Sequence, residues 1–471
     1  MKPVYAVWLR NDFRINDNPA IQKAVEVAAS DGGRIVMFFH LHPEFLRDID
    51  LQYDYFFQTL HQFRNDCQSK GIKVELLKGP VQEAFHTLVS SYPELKAVFC
   101  LEDYTPFGRT RDEEVIRFLL KYNVQLFPLE GSHIIHPEKI KKSDGTPYQV
   151  FTPYFRNWNR HIKPSLANSR IDDLKEYYVD PKEGKTSADN YFENELLPRC
   201  KKSWGSLGEK AAVNRLETFV EERLTHYHDN RDRPDYFGTS TLSPFIKTGA
   251  LSVRMVYHSV SSRIDEAGKG AETFLKELAW RDFYAMIYYF YPETKNQEYQ
   301  EKYRNIFWNR DEELFTKWKD GNTGFPIVDA GMRQLNQTGW MHNRLRMITA
   351  SFLTKDYLID WRLGEEYFSR KLIDYDEASN VGGWQWAASV GTDAVPYFRV
   401  FNPARQSVRF DPYGSFIKEF VPELTEVPEK YIHTPEKMTS EEAEITYPEP
   451  TVDHAVQRKK AIALFKGVEE E

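Results

Sequence analysis

Four stretches in the second half of the chain gather residue types able to do chemistry. In "FGTSTLSPFIKTGALS" (Phe237–Ser252) a run of hydroxyls feeds a helix start, so side-chain O–H and free backbone N–H groups converge as donors suited to a phosphate. Such a run also serves as plain helix capping, and taken alone it leaves both readings open. In "FLKELAWRDFYAMI" Glu277, Trp280 and Arg281 stand at i, i+3 and i+4 and share a helix face. A carboxylate, a ring and a guanidinium together can grip a planar, partly polar ligand; an ion pair between Glu277 and Arg281 is the competing account.

The third stretch, "GWMHNRLRMITASFL", sets Asn343 and Met347 one turn apart and points Arg344 and Arg346 to different sides. Arginines in an aromatic region usually answer phosphate or carboxylate. His342 reads as a satisfied core histidine. The fourth, "LIDYDEASNVGGWQWAASVGTDA", holds Asp374, Asp376, Asn380, Trp384 and Trp386. No His or further carboxylate joins the aspartates at a ligand spacing, so a metal site is not expected. On a helix, residues i and i+2 lie about 200° apart, so Trp384 and Trp386 should serve different surfaces.

These stretches need a scaffold. A chain of 471 residues is too long for one ordinary core, and two domains are expected. The apolar runs at 4–9, 34–41, 73–77, 96–101 and 124–129 read as buried parallel strands, with helices near 18–29, 52–70, 80–92 and 110–122 between them. That rhythm predicts a doubly wound, Rossmann-like α/β sheet over 1–130, although neither a GxGxxG nor a Walker loop follows the first strand. Residues 131–206 are rich in turn formers and read as an interdomain connector. Residues 207–435 should form an all-α domain, with helices near 208–224, 243–246, 252–266, 271–290, 326–338, 342–354, 361–370 and 383–390. A charged tail, 436–471, should close with a helix over 452–466.

The net charge of −8 is concentrated at the end: residues 419–471 hold 13 acidic and 6 basic side chains. The remainder is close to neutral, which leaves room for a basic, nucleic-acid-binding face. Aromatic residues make up 15% of the chain and include ten Trp, enough to furnish a large ring-rich core. Cys67, Cys100 and Cys200 lie far apart, with neither metal spacing nor a disulfide framework, so a reducing compartment is expected. The N-terminus "MKPVYAVWLRNDF" lacks signal-peptide features and no run is long enough to span a bilayer. A cytoplasmic protein without a membrane partner is expected.

Taken together the motifs resemble the photolyase/cryptochrome family, and within it the class I cyclobutane pyrimidine dimer photolyases. The resemblance runs from "VWLRNDFRINDNPA" (7–20) to "PYFRVFNPARQ" (396–406), through "TGWMHNRLRMITASFLTKDYLIDWRLGEEYF" and "GGWQWAASVGTDAVPYFRVFNP". It implies FAD held in the helical domain, and a monomer that uses light to split pyrimidine dimers in UV-damaged DNA; a signalling cryptochrome is the alternative. By the same resemblance Tyr227, Thr239, Ser240, Thr241, Leu242, Ser243 and Phe274 hold FAD, with Arg346, Asp374, Tyr375, Asp376 and Asn380 around its ring system. Asn380 matches the position facing flavin N5, where signalling relatives carry Asp or Cys. Glu277, Trp280, Asn343, Arg344, Met347 and Trp386 match the dimer pocket, and Arg231, Arg344 and Gln406 match DNA contacts. Relatives acting on the 6-4 photoproduct carry His at the positions of Asn343 and Met347. Trp384, Trp361 and Trp308 match an electron relay, and Trp318 is assigned to packing.

One departure concerns a second, antenna chromophore. Folate-binding relatives show an Asn-Glu pair before an Arg-x-Arg-Asp run, whereas "DYTPFGRTRD" places Phe107 and Gly108 before Arg109. A Gly there lets a ring system approach the backbone, and the pattern is nearer to deazaflavin- or flavin-binding relatives. Methenyltetrahydrofolate, a deazaflavin, a flavin and no chromophore at all remain open.

Overall fold

The computed structural model describes residues 2–179, 186–438 and 446–470. Parts of the expected connector (180–185) and of the charged tail (439–445) lie outside the described residues.

Five parallel strands, β1 (Val4–Leu9), β2 (Arg34–Leu41), β3 (Val74–Lys78), β4 (Leu95–Leu101) and β5 (Gln125–Leu129), form one sheet in the order β3-β2-β1-β4-β5. Every residue of β1 is buried, as a central strand covered on both faces requires. Helix Pro19–Asp31 follows β1 for local reasons: the Asn18 side chain accepts from the Ala20 and Ile21 N–H groups, Pro19 opens the first turn, and left-handed Gly32 closes the last. β5 departs from the buried-strand expectation. It is the sheet edge, largely exposed, and its Pro128 sits where an edge strand tolerates a missing N–H.

The connector is more than a linker. Leu174 and Phe192 are fully buried in the core under β1 and β2, and Tyr178 bridges to Ile35. Arg254 and Ser252 of the helical body both reach Asp17, just after β1, and the Phe13 N–H donates to the Thr248 carbonyl at 3.2 Å.

Two helices of the body differ from expectation in ways that matter for the site. The helix expected at 383–390 runs Glu377–Ala387, because the Asp376 carboxylate accepts from the Ser379 N–H at 2.9 Å and starts it six residues early. The helix expected at 252–266 breaks into Val253–Ser261 and Ile264–Ala267. The final helix, His454–Glu470, lays Ala461 and Phe465 into the core. No helix among the described residues is long and apolar enough to cross a membrane.

Candidate active site

The Glu377–Ala387 helix carries both tryptophans, and their surroundings diverge. Trp384 is 2% exposed and packs edge-on against Phe368 and Trp318, at centroid separations of 5.0 and 5.9 Å. Its indole N–H has no hydrogen-bond partner among the described residues. Gly364 makes the approach possible, since a Cβ there would lie 2.1 Å from the Trp384 ring. Trp386 is half-buried and meets Phe401 at 6.5 Å. Trp318 is itself fully buried, stacked on Phe315 and Phe368, as its packing assignment requires.

A turn earlier, Asn380 donates from Nδ2 to Glu365 Oε1 at 3.0 Å, and the Tyr375 hydroxyl donates to the same oxygen at 2.9 Å. Burial pushes the Glu365 carboxyl above the usual range, while those two hydrogen bonds pull it back. Glu365 was not singled out in the sequence. Its signal was there, an acidic residue on a buried helix face, but its partners lie 10 and 15 residues away.

Arg346 binds Asp374 at 2.7 Å and the Met341 carbonyl at 2.8 Å. Asp374 is buried, and its other carboxylate oxygen has no partner among the described residues. An unsatisfied buried acceptor beside a guanidinium is a strong demand for a polar ligand. The hydroxyl run has cationic company too. Arg215 donates to the Thr241 hydroxyl at 3.2 Å and Arg223 to the Thr239 carbonyl at 3.3 Å. Thr241 adopts φ of 52°, and Leu242 is buried, whereas Ser243 is exposed beside Trp340. Phe274 packs on Phe219 and Tyr227, with centroids 4.8 and 5.1 Å away. Hydroxyls and two arginines suit a pyrophosphate, and an ion pair with a free acceptor suits a polar ring edge, so this donor set fits FAD.

The outward face carries paired charges. Glu277 binds Arg231 at 2.6 Å rather than Arg281, which resolves the two accounts of the Glu277 helix. Arg281 turns away, to the Ser132 carbonyl at 3.0 Å and Asp376 at 3.5 Å. Burial would raise the Asp376 carboxyl, but Arg281, Lys247 and His133 hold it down at about 2. Arg344 binds Asp232 at 2.8 Å and lies over the Phe410 ring at 4.3 Å. Asn343 is exposed, with Nδ2 3.9 Å from Met347 Sδ. Gln406 lies on the same Pro403–Phe410 helix as Phe410. Trp280 is less free than expected: Phe151 stacks on it at 3.7 Å with planes 6° apart, covering one face. His342 is only half-satisfied. Its Nδ1 accepts from the Arg344 N–H at 3.1 Å, while buried Nε2 has no partner among the described residues.

Trp308 and Trp361 are both buried, and both indole N–H groups donate to Oε1 of Glu298, at 3.3 and 3.2 Å.

A cavity of about 660 Å³ opens where β1 and β4 diverge, between the sheet and the helical body. This is the switch point at which doubly wound sheets bind ligands. Phe107 lies on its wall with His42 and Phe45, at centroid separations of 5.3 Å each. Gly108 has another reason for being there than a ring's approach. A Cβ at that position would stand 2.1 Å from the Asp103 carboxyl carbon, so Asp103 occupies the space.

A doubly wound sheet joined to a helical body with this donor set at its centre defines a flavoprotein of the photolyase/cryptochrome type. Residues 5–171 match the DNA photolyase family and residues 274–467 the FAD binding domain of DNA photolyase. The deoxyribodipyrimidine photo-lyase of Alkalihalophilus pseudofirmus is 48% identical over 99% of this chain and 98% of its own length. That of Escherichia coli is 35% identical over 98% of each. Among solved structures, a class III photolyase from Agrobacterium tumefaciens aligns with a TM-score of 0.89 at 30% identity, over 100% of this chain and 98% of its own. An archaeal photolyase from Sulfolobus tokodaii, solved with two FAD molecules, aligns at 0.83 and 29%, over 98% and 100%. The chain belongs to the DNA photolyase family: it is a light-dependent lyase, and FAD is its cofactor.

Proposed function

We propose that this enzyme repairs cyclobutane pyrimidine dimers in UV-damaged DNA, acting as a monomer. The observation that carries the reading is the contrast across one helix. Trp384 is buried edge-on against Phe368 and Trp318, while Trp386, two residues on, is half-buried and meets Phe401 instead. Neither residue 343 nor 347 is His, which favours the cyclobutane dimer over the 6-4 lesion.

The roles follow from what each side chain can offer. Arg346, Asp374, Tyr375, Asp376 and Asn380 hold the ring system of FAD; Tyr227, Phe274 and the run Thr239–Ser243, with Arg215 and Arg223, hold the rest. The chemistry the bound, reduced flavin supplies is a light-driven electron for opening the cyclobutane ring. Target bases must leave the duplex to reach that depth. Trp386 and the free face of Trp280 stack on them, and Asn343 and Glu277 hydrogen-bond their edges. Arg231, Arg344 and Gln406 meet the phosphates, where charge gives affinity rather than sequence choice. Trp308, Trp361 and Trp384 carry electrons inward to oxidised flavin. We further propose that residues 1–130 form an antenna domain whose cavity takes a second chromophore, with 207–435 binding FAD and DNA.

The test is light-dependent restoration of an oligonucleotide containing one thymine dimer by chemically reduced enzyme. Repair, with DNA affinity falling steeply as salt rises, is expected. An intact dimer after illumination would overturn the reading, and a 6-4 oligonucleotide would then be tried. Absorbance of released chromophores against protein concentration tests the antenna: a single equivalent of FAD and nothing else would refute it.

A further inference from the structure

Glu298 lies in the turn between the short 3-10 segments Pro292–Lys295 and Glu301–Tyr303, ahead of Trp308, and its side chain is 2% exposed. One of its oxygens accepts both the Trp308 and the Trp361 indole N–H groups. The other binds Arg362 at 2.6 Å, and Arg362 is in turn held by Asp360 at 2.9 Å. The turn is tied down by Gln385, the residue between the two tryptophans of the Glu377–Ala387 helix. Gln385 donates to the Thr294 and Gln297 carbonyls at 2.7 and 2.9 Å and accepts from the Tyr299 N–H at 2.9 Å. Trp384, by contrast, keeps a buried N–H without a partner among the described residues.

These contacts build an electrostatic gradient. An indole that has lost an electron carries positive charge and a strongly acidic N–H, so an anionic acceptor on that N–H stabilises it more than a neutral one would. Low local dielectric strengthens the effect. The inner ring has no acceptor, whereas both outer rings share a carboxylate. We infer that Glu298 is a positioning residue of the tryptophan relay, which draws positive charge off Trp384 onto Trp361 and Trp308 and so opposes its return. The inference rests on the relay reading given above. The electron balance is complete: one electron leaves Trp384 for photo-excited, oxidised flavin, Trp361 refills Trp384, Trp308 refills Trp361, and an added thiol reductant refills Trp308. During this the indole protons stay shared with Glu298 Oε1.

Glu298→Gln keeps the shape and an acceptor oxygen but removes the charge. The indole ¹⁵N–H resonances of Trp308 and Trp361 should move in the variant while that of Trp384 stays, with flavin content and melting temperature held. The yield of flavin photoreduction per flash, in thiol buffer, should fall about tenfold, as expected when a charge-assisted hydrogen bond becomes a neutral one. Unchanged photoreduction in Glu298→Gln would overturn the inference, as would lost flavin or a large drop in melting temperature, which would make Glu298 a fold residue. Trp308→Phe and Trp361→Phe separate the two levels. Full photoreduction in both would sink the relay reading and this inference with it; loss in both, beside an unaffected Glu298→Gln, would sink the inference alone.

Discussion

Two regions of the helical body, the packed surroundings of Trp384 and the charged pairs around Arg231 and Arg344, follow opposite rules. On the Trp384 side side chains are buried, ring meets ring, and polar groups bond one another, Asn380 and Tyr375 to Glu365 and the Trp308 and Trp361 indoles to Glu298, while the Trp384 indole N–H stays an orphan among the described residues. Trp386 is half-buried, and elsewhere on the helical body partly exposed arginines pair with carboxylates across elements, Arg231 with Glu277 and Arg344 with Asp232. Packing fixes positions on the first side, to within what close-packed rings allow. Charge pairs hold positions on the second, and in the proposed function these pairs give way to phosphate contacts. On the proposed function, chemistry that must exclude water sits on the packed side, and binding that must be reversible sits on the charged side.

The largest expected effect comes from removing the indole of the packed side. Trp384→Phe should abolish flavin photoreduction while chemically reduced enzyme still repairs; if repair disappears too, the two sides are not separable. The next concerns His342, which lies buried beneath the charged face. Burial and the nearby Arg344 and Arg346 lower its imidazole to about 4, against Asp232. Between about pH 6.5 and 4 the unfolded chain takes up this proton and the folded chain does not, so stability is full above that window and is lost as pH falls through it. His342→Asn keeps a helix-capping acceptor and should flatten the acid side of the melting profile by on the order of 3 kcal/mol. The buried Asp282 and Asp329 carboxyls, both raised to about 6, act in the opposite sense, so the difference between variant and parent is the quantity to measure. Parallel profiles would show that His342 is not held neutral.

Much of this arrangement was legible beforehand, for identifiable reasons. A turn of 100° per residue already separates Trp384 from Trp386, and β1, β2 and β4 announced themselves as runs buried on both faces. What could not be read was which partner a long side chain chooses. Glu277 and Arg281 share a helix face, yet Asp376 arrives from 95 residues later and takes Arg281, while Arg231 takes Glu277. Glu298 looked like any acidic residue, and Glu365 showed only its place on a buried helix face, because their meaning lies in indoles and an amide brought to them by tertiary contacts. The helix expected at 383–390 starts instead at Glu377, because the Asp376 cap that begins it depends on the fold around it. A Cβ at Gly382 would stand 2.1 Å from the Tyr284 ring, so that glycine serves helix packing.

A smaller effect should follow from Gly364→Ala. The added methyl meets Trp384 at 2.1 Å and Leu353 at 2.7 Å, so one of them must move. Overpacking of this kind costs about 1–3 kcal/mol, and a displaced Trp384 should slow photoreduction. A stable variant with normal photoreduction would mean the packed side is softer than argued.

Least disruptive to the fold, and most informative about the charged side, is Glu277→Ala. Glu277 and Arg231 are 33% and 20% exposed, so their separation should cost stability only about 1 kcal/mol or less. Arg231 keeps Asp232 3.9 Å away and gains freedom to reach a phosphate, so DNA affinity should hold or rise slightly. What is lost is one hydrogen bond to an extruded base, worth about 1 kcal/mol, so the repair yield of chemically reduced enzyme should fall roughly fivefold. The flavin should stay, because its proposed holders make no use of Glu277. Affinity, yield and flavin content, measured on one preparation, therefore move independently if the charged side is a binding surface. Loss of flavin on purification would instead make Glu277 part of the packed side, and the contrast between the two sides would fail at that point.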